Sequence, residues 1–150
     1  MSGVIFQSNQ FKLSAGVKGA LYSGVNFQQV AATILSTSVN NFYGATPVKL
    51  VNTSNKVITV EKATLTDIVF GFIVFNTTKN LRVAKDVVDV ALTGAIMWME
   101  CGANINAGVA VETVATGDKI ITSAGTNTVV GTALFSGVNG DLIPVLIKCL

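Results

Sequence analysis

The chain reads as all-β: a compact β-barrel or sandwich built from two duplicated β-units, with an extended N-terminal arm. Three observations predict this. The first is internal repetition, since Val-Lys-Leu-Val-Asn-Thr-Ser-Asn-Lys-Val-Ile-Thr at 48–59 returns as Val-Glu-Thr-Val-Ala-Thr-Gly-Asp-Lys-Ile-Ile-Thr at 111–122. Val48/Val111, Val51/Val114, Thr53/Thr116, Lys56/Lys119, Ile58/Ile121 and Thr59/Thr122 are identical pairs, and Val57/Ile120 is a β-branched exchange. The second is punctuation, in which short runs rich in β-branched and aromatic residues are bounded by Gly, Asn and Asp. The third is that no run sustains a helical period of 3.6.

The repeat continues beyond those twelve positions. Gly71-Phe72-Ile73-Val74-Phe75 answers to Gly131-Thr132-Ala133-Leu134-Phe135, and Asp86-Val87-Val88-Asp89-Val90-Ala91-Leu92 answers to Asp141-Leu142-Ile143-Pro144-Val145-Leu146-Ile147. The expected division is therefore an extension over 1–43 and a duplicated β-domain over 44–150, with units at about 45–92 and 108–147. This register puts Ile58 and Ile121 in equivalent surroundings. It predicts a pseudo-twofold pair of units closing on one another around a shared core, which removes exposed strand edges.

Taken in order, residues 1–43 mix Gly, Ser, Asn and Gln with apolar anchors at Phe6, Phe11, Leu13, Val17, Leu21, Tyr22, Val25 and Phe27. Their spacing fits neither one long strand nor one helix, and anchors without a period suit an arm that orders on a partner. Residues 28–35 fit two helical turns or a strand almost equally. Strands are expected at 57–61 and 68–75, between the turn-formers of 52–55 and 76–80, because both runs are β-branched and aromatic. Further strands follow at 87–92, 95–100, 110–114, 119–122, 129–135 and 142–148. The tightest turns are Thr116-Gly117-Asp118 and Asn139-Gly140-Asp141. Gly71 and Gly131 mark either a bend with close backbone approach or an ordinary turn.

Composition narrows the function. Half of the residues are hydrophobic and only 12% are charged, about half the usual share of charge. Solubility wants a mixed charged surface, so much of this exterior is expected to meet other protein. The net charge of +2, from 10 Lys+Arg against 8 Asp+Glu, is spread without a basic cluster, which argues against nucleic acid. No uncharged apolar run approaches the roughly 20 residues of a spanning helix, so no membrane is expected. The first residues lack a basic n-region and apolar core, which points to folding in a cytoplasm.

Reactive chemistry is sparse. There is no histidine, and Asp67, Asp86, Asp89, Asp118 and Asp141 fall mostly at strand starts and turns, where a short carboxylate accepts local N–H groups. Glu61 with Glu100 or Glu112 is an unsupported carboxylate pair. Cys101 and Cys149 lack metal-ligand spacing and read as reduced, small hydrophobes. No catalytic residue, metal or cofactor is assigned, and the chain is not expected to be an enzyme. In Met97-Trp98-Met99 alternation sends Trp98 to one face and the methionines to the other.

The stretch Asn9-Gln10-Phe11-Lys12-Leu13-Ser14-Ala15-Gly16-Val17-Lys18-Gly19-Ala20-Leu21-Tyr22-Ser23-Gly24 resembles the opening of tailed-phage head decoration proteins, of the capsid cement type. Thr46-Pro47-Val48-Lys49-Leu50-Val51, Val69-Phe70-Gly71-Phe72-Ile73-Val74, Gly94-Ala95-Ile96-Met97-Trp98-Met99-Glu100 and Gly140-Asp141-Leu142-Ile143-Pro144-Val145 extend the likeness over most of the chain. The resemblance implies a structural virion protein, made in the host cytoplasm, that cements the outside of an icosahedral head. Its implied partner is the major capsid protein, bridged by a homo-trimer or other homo-oligomer, with an arm around residues 11–22 in contact. The apolar residues outside the repeat, Phe6, Phe11, Leu13, Leu21, Tyr22 and Phe27, are the expected contacts. The alternative is a fibre or tail β-module that recognises a host surface glycan.

Overall fold

The computed structural model describes residues 16–22, 28–51 and 56–149. Among them run ten strands and no helix: β1 (Gln29–Ile34), β2 (Pro47–Leu50), β3 (Thr59–Lys62), β4 (Gly71–Ile73), β5 (Val87–Ala91), β6 (Ile96–Glu100), β7 (Ala110–Thr113), β8 (Ile120–Thr122), β9 (Gly131–Ala133) and β10 (Leu142–Ile147). The all-β architecture and its two units are as the sequence predicts.

Residues 28–35 resolve as strand β1 because antiparallel pairing with β5, from Gln29↔Ala91 to Thr33↔Val87, satisfies the backbone along its length. Alternation then turns Ala32 and Ile34 into the core. β1 also pairs in parallel with β3 at Thr33↔Thr59 and Ile34↔Val60, closing a barrel in the order β1-β3-β2-β4-β5. The first unit thus takes its opening strand from ahead of residue 44.

The second sheet, β6-β10-β9-β7-β8, repeats the first strand for strand. Val111 faces Gly131 as Val48 faces Gly71. Ala133 faces Val145 as Ile73 faces Val90, and Met97 faces Val145 as Val30 faces Val90. Even the closure recurs, as the single parallel bridge Cys101↔Ile120 stands where Ile34↔Val60 stands in the first unit. β6 is therefore the counterpart of β1, and closure happens within each unit rather than between them.

The glycine equivalence is steric. A Cβ on Gly71 would lie 2.2 Å from the Ala91 carbonyl oxygen, and one on Gly131 would lie 2.4 Å from that of Leu146. Both positions need the close approach of a neighbouring backbone, not a turn.

Two expectations change. Ile58 and Ile121 are not equivalent: Leu50↔Val60 matches Thr113↔Ile120, so Val60 and Ile120 share the buried position. Ile58 stands before β3 with 40% of its surface exposed. The cause is the turn, closed by Val51 N–H to Thr59 O in the first unit and by Val114 N–H to Lys119 O in the second, three residues shorter. The sequence match carries the first register across that insertion.

The units also do not meet about a pseudo-twofold axis. One core, with Ile34, Phe42, Val48, Val60, Ile73 and Val90, fills the first barrel. The second joins Met99, Val111, Ile120, Ala133 and Val145 to Ala45, Ala63, Val69, Phe72 and Ala91 from the outer face of the first unit. Their counterparts in the second unit, Gly108, Ser123, Val129, Thr132 and Leu146, are exposed or half-buried. Different faces meet, so the packing is head-to-tail.

Candidate interaction site

The junction between the units is strapped by residues 16–22. Gly19 N–H donates to Trp98 O (2.8 Å), Trp98 N–H to Ala20 O (3.0 Å) and Tyr22 N–H to Ile96 O (2.8 Å), with Leu21 opposite Met97. The segment thereby pairs with the edge of β6 that β10 leaves open. Its other side meets the first unit, where Phe75 N–H donates to Gly19 O (2.9 Å). Gly19 has φ +85°, and a Cβ there would lie 2.4 Å from the Gly44 backbone; one on Gly16 would lie 2.3 Å from the Trp98 ring. Glycine is required at both points, between the two units at Gly19 and against the Trp98 ring at Gly16.

Leu21 and Tyr22, two of the residues expected to contact a partner, are engaged within the chain. Leu21 packs half-buried against the second core, and the Tyr22 ring lies 5.7 Å from that of Trp98 at 41°. Tilted pairs of this kind are favourable beyond their area. Phe6, Phe11, Leu13 and Phe27 lie outside the described residues. Trp98 is buried beneath this strap while Met97 and Met99 point to the core, as strand alternation requires.

Beside the strap an open cleft of about 580 Å³ is lined by Lys18, Asn40, Asn41, Tyr43, Lys62, Asn80 and Asp118, with Val39 at its rim. Val39 is 94% exposed and Tyr43 46%. Behind it Glu61 accepts from Ser38 Oγ (2.7 Å), the Lys62 N–H (2.8 Å) and Asn40 Nδ2 (3.1 Å). Partial burial pushes its carboxyl up, but these hydrogen bonds and the Lys49 charge outweigh that and hold it below the ordinary glutamate range. Asp118 is held low chiefly by the Thr116 hydroxyl. Sequence reasoning missed this cleft because its lining comes from five separated segments, none of which carries a motif.

The carboxylates named from sequence separate rather than converge. Glu100 is bridged by Lys18 (3.5 Å) and Lys119 (3.4 Å), while Glu61 holds the 38–40 loop. Glu112 is 2% exposed, accepts from Asn127 Nδ2 at 3.1 Å, and has no donor to Oε2 among the described residues. The pair stands where Lys49 meets Asp67 (3.1 Å) in the first unit. Asp67, Asp86 and Asp141 each accept a backbone N–H three residues back, from Thr64, Val83 and Val138, which keeps the carboxyls of Asp67 and Asp86 low. Cys101 and Cys149 are free and buried; desolvation raises both thiols, Cys149 to about 12. No group of His, Cys, Asp and Glu suited to a metal ion gathers among the described residues.

This arrangement has a solved counterpart. The N base of head fiber gp8.5 of bacteriophage phi29 superposes with a TM-score of 0.56 at 16% identity, covering 82% of this chain and 95% of that chain. The two share a fold. No family model and no curated protein matches the chain. At that identity the likeness speaks for fold alone, over most of the chain.

Proposed function

We propose that the chain is a structural protein of a phage head, attached to the capsid exterior and bridging neighbouring major capsid protein subunits. The observation that carries this reading is the match in fold to a head-fiber base over 82% of the chain, from a chain whose own segments resemble head decoration proteins. The composition agrees with it: a sparsely charged surface suits a clamp whose modest contacts add through multivalency. The chemistry is in keeping with it, because Asp67 and Asp86 serve turns and Glu100 is held in ion pairs.

The test is to mix the purified chain with expanded heads assembled without it and read occupancy by cryo-EM. Ordered density on the outer surface, spanning adjacent capsid subunits, is the expected result; a bare exterior overturns the proposal. The arm is tested separately by deleting residues 1–15, because 16–22 belong to the folded junction. If Phe6, Phe11 and Leu13 hold the capsid, this truncation lowers occupancy while Trp98 fluorescence is unchanged. Equal occupancy removes those residues from the contact.

A second reading, recognition of a host glycan, is favoured by one observation. The cleft presents half-exposed Tyr43 among Asn40, Asn41, Asn80 and Asp118, a ring and hydrogen-bonding groups of the kind that sugar recognition uses. A glycan array probed with the chain and with Tyr43→Ala decides it: binding lost in the variant supports the cleft, and no binding by the parent rejects it.

A further inference from the structure

The head-to-tail packing leaves one complementary face open at each end of the molecule. The first unit buries Ala45, Val69 and Phe72 against the second, but their counterparts Gly108, Val129 and Thr132 face outward, with Val129 39% exposed. Conversely, the second unit receives the first through Thr128, whose N–H donates to Leu65 O (3.0 Å) and whose hydroxyl donates to Asp67 O (2.9 Å). The position in the first unit that answers to Thr128 is Ile68, 68% exposed. Nothing lies within 4 Å of a Cβ on Gly125, the counterpart of Leu65. The asymmetry repeats at the strap: Phe75 packs on Gly44 beneath residue 19, whereas its counterpart Phe135 is 52% exposed.

We infer that a second copy of this chain docks here, its Ile68 face receiving the Val129 face of the first copy and repeating between chains the contact already made within one. The occupant follows from the duplication. A surface that fits the Ala45-Val69-Phe72 face also fits, in outline, the homologous Val129 face, and a heterologous contact repeated this way closes a ring or extends. Exposed Ile68 and Val129 supply apolar area, in a chain of which only 12% of the residues are charged.

Directional cysteine cross-linking tests this on the intact chain. Thr128 lies against Leu65 and Asp67 within the molecule, so between copies Ile68 must lie against the loop holding Thr126, which runs between the counterparts of those two residues. Ile68→Cys and Thr126→Cys are made as separate variants; the native Cys101 and Cys149 are buried. On mild oxidation each alone stays near 15.6 kDa on a non-reducing gel, and a mixture of the two gives a species of twice that mass. Adding Val129→Asp to the Thr126→Cys variant abolishes the product. A mixture that remains monomeric overturns the inference, as does equal cross-linking by either variant alone, which marks a symmetric contact instead. Light scattering of the unmodified chain gives the second readout, with multiples of the monomer mass expected and a monomer at all concentrations contradicting the proposal.

Discussion

Single residues carry the repeat's logic and its exceptions. Gly140 sits at φ +93°, and its counterpart Lys85 holds the same left-handed conformation at φ 72°. A side chain there costs about 1–2 kcal/mol against a smaller entropic cost for glycine. Lys85→Gly is therefore expected to stabilise the fold by about 0.5–1 kcal/mol, read as a higher urea midpoint. Gly131→Ala should do the opposite, losing about 1–3 kcal/mol or more because its Cβ meets the Leu146 carbonyl rather than a movable side chain. Glu112 is the other outlier, a buried carboxylate with one oxygen unpartnered among the described residues.

At the scale of elements, the strap 16–22 holds the two barrels together. It covers the β6 edge, buries Trp98 and reaches the first unit through Gly19. Gly19→Ala introduces both a contact of 2.4 Å with the Gly44 backbone and strain at φ +85°, so the strap is expected to leave the edge. Trp98 is the only tryptophan, and its emission should shift to the red as its ring meets water; an unchanged spectrum would show that the strap tolerates the substitution. The other lesson at this scale concerns β3. Sequence identity misplaces its register because Lys56, Ile58 and Thr59 match Lys119, Ile121 and Thr122, while hydrogen bonding across a turn of different length sets the real alignment.

Over the whole molecule, charge is sparse and histidine absent, so no side-chain type present has its ordinary pKa between about 5 and 8. Asp67, Asp86, Asp118 and Glu61 are all held below their ordinary range in the folded state. Their contribution is fully present above the unfolded pKa of about 4 and is lost as pH falls through the lower folded values. Stability should stay flat from about pH 8 to pH 5 and decline below about pH 4, checked by urea midpoints across that series. The exposed setting of Asp86 and Asp67 keeps each share small. A rise in stability as pH falls through 6 would point instead to a carboxyl raised by burial.

The sequence by itself determined the strand content, the duplication, the Gly71 and Gly131 equivalence, the buried cysteines and the opposite facing of Trp98 and its flanking methionines. These follow from period-two alternation and from local steric demands, both of which are written into neighbouring residues. Only the tertiary structure decided that β1 joins the first unit, that each unit closes through its own parallel contact, and that the two pack head-to-tail with a polar cleft at their junction. Two nearly identical strand patterns have the same inward faces, but which outward face is covered depends on long-range docking. No alternation within a strand encodes that choice.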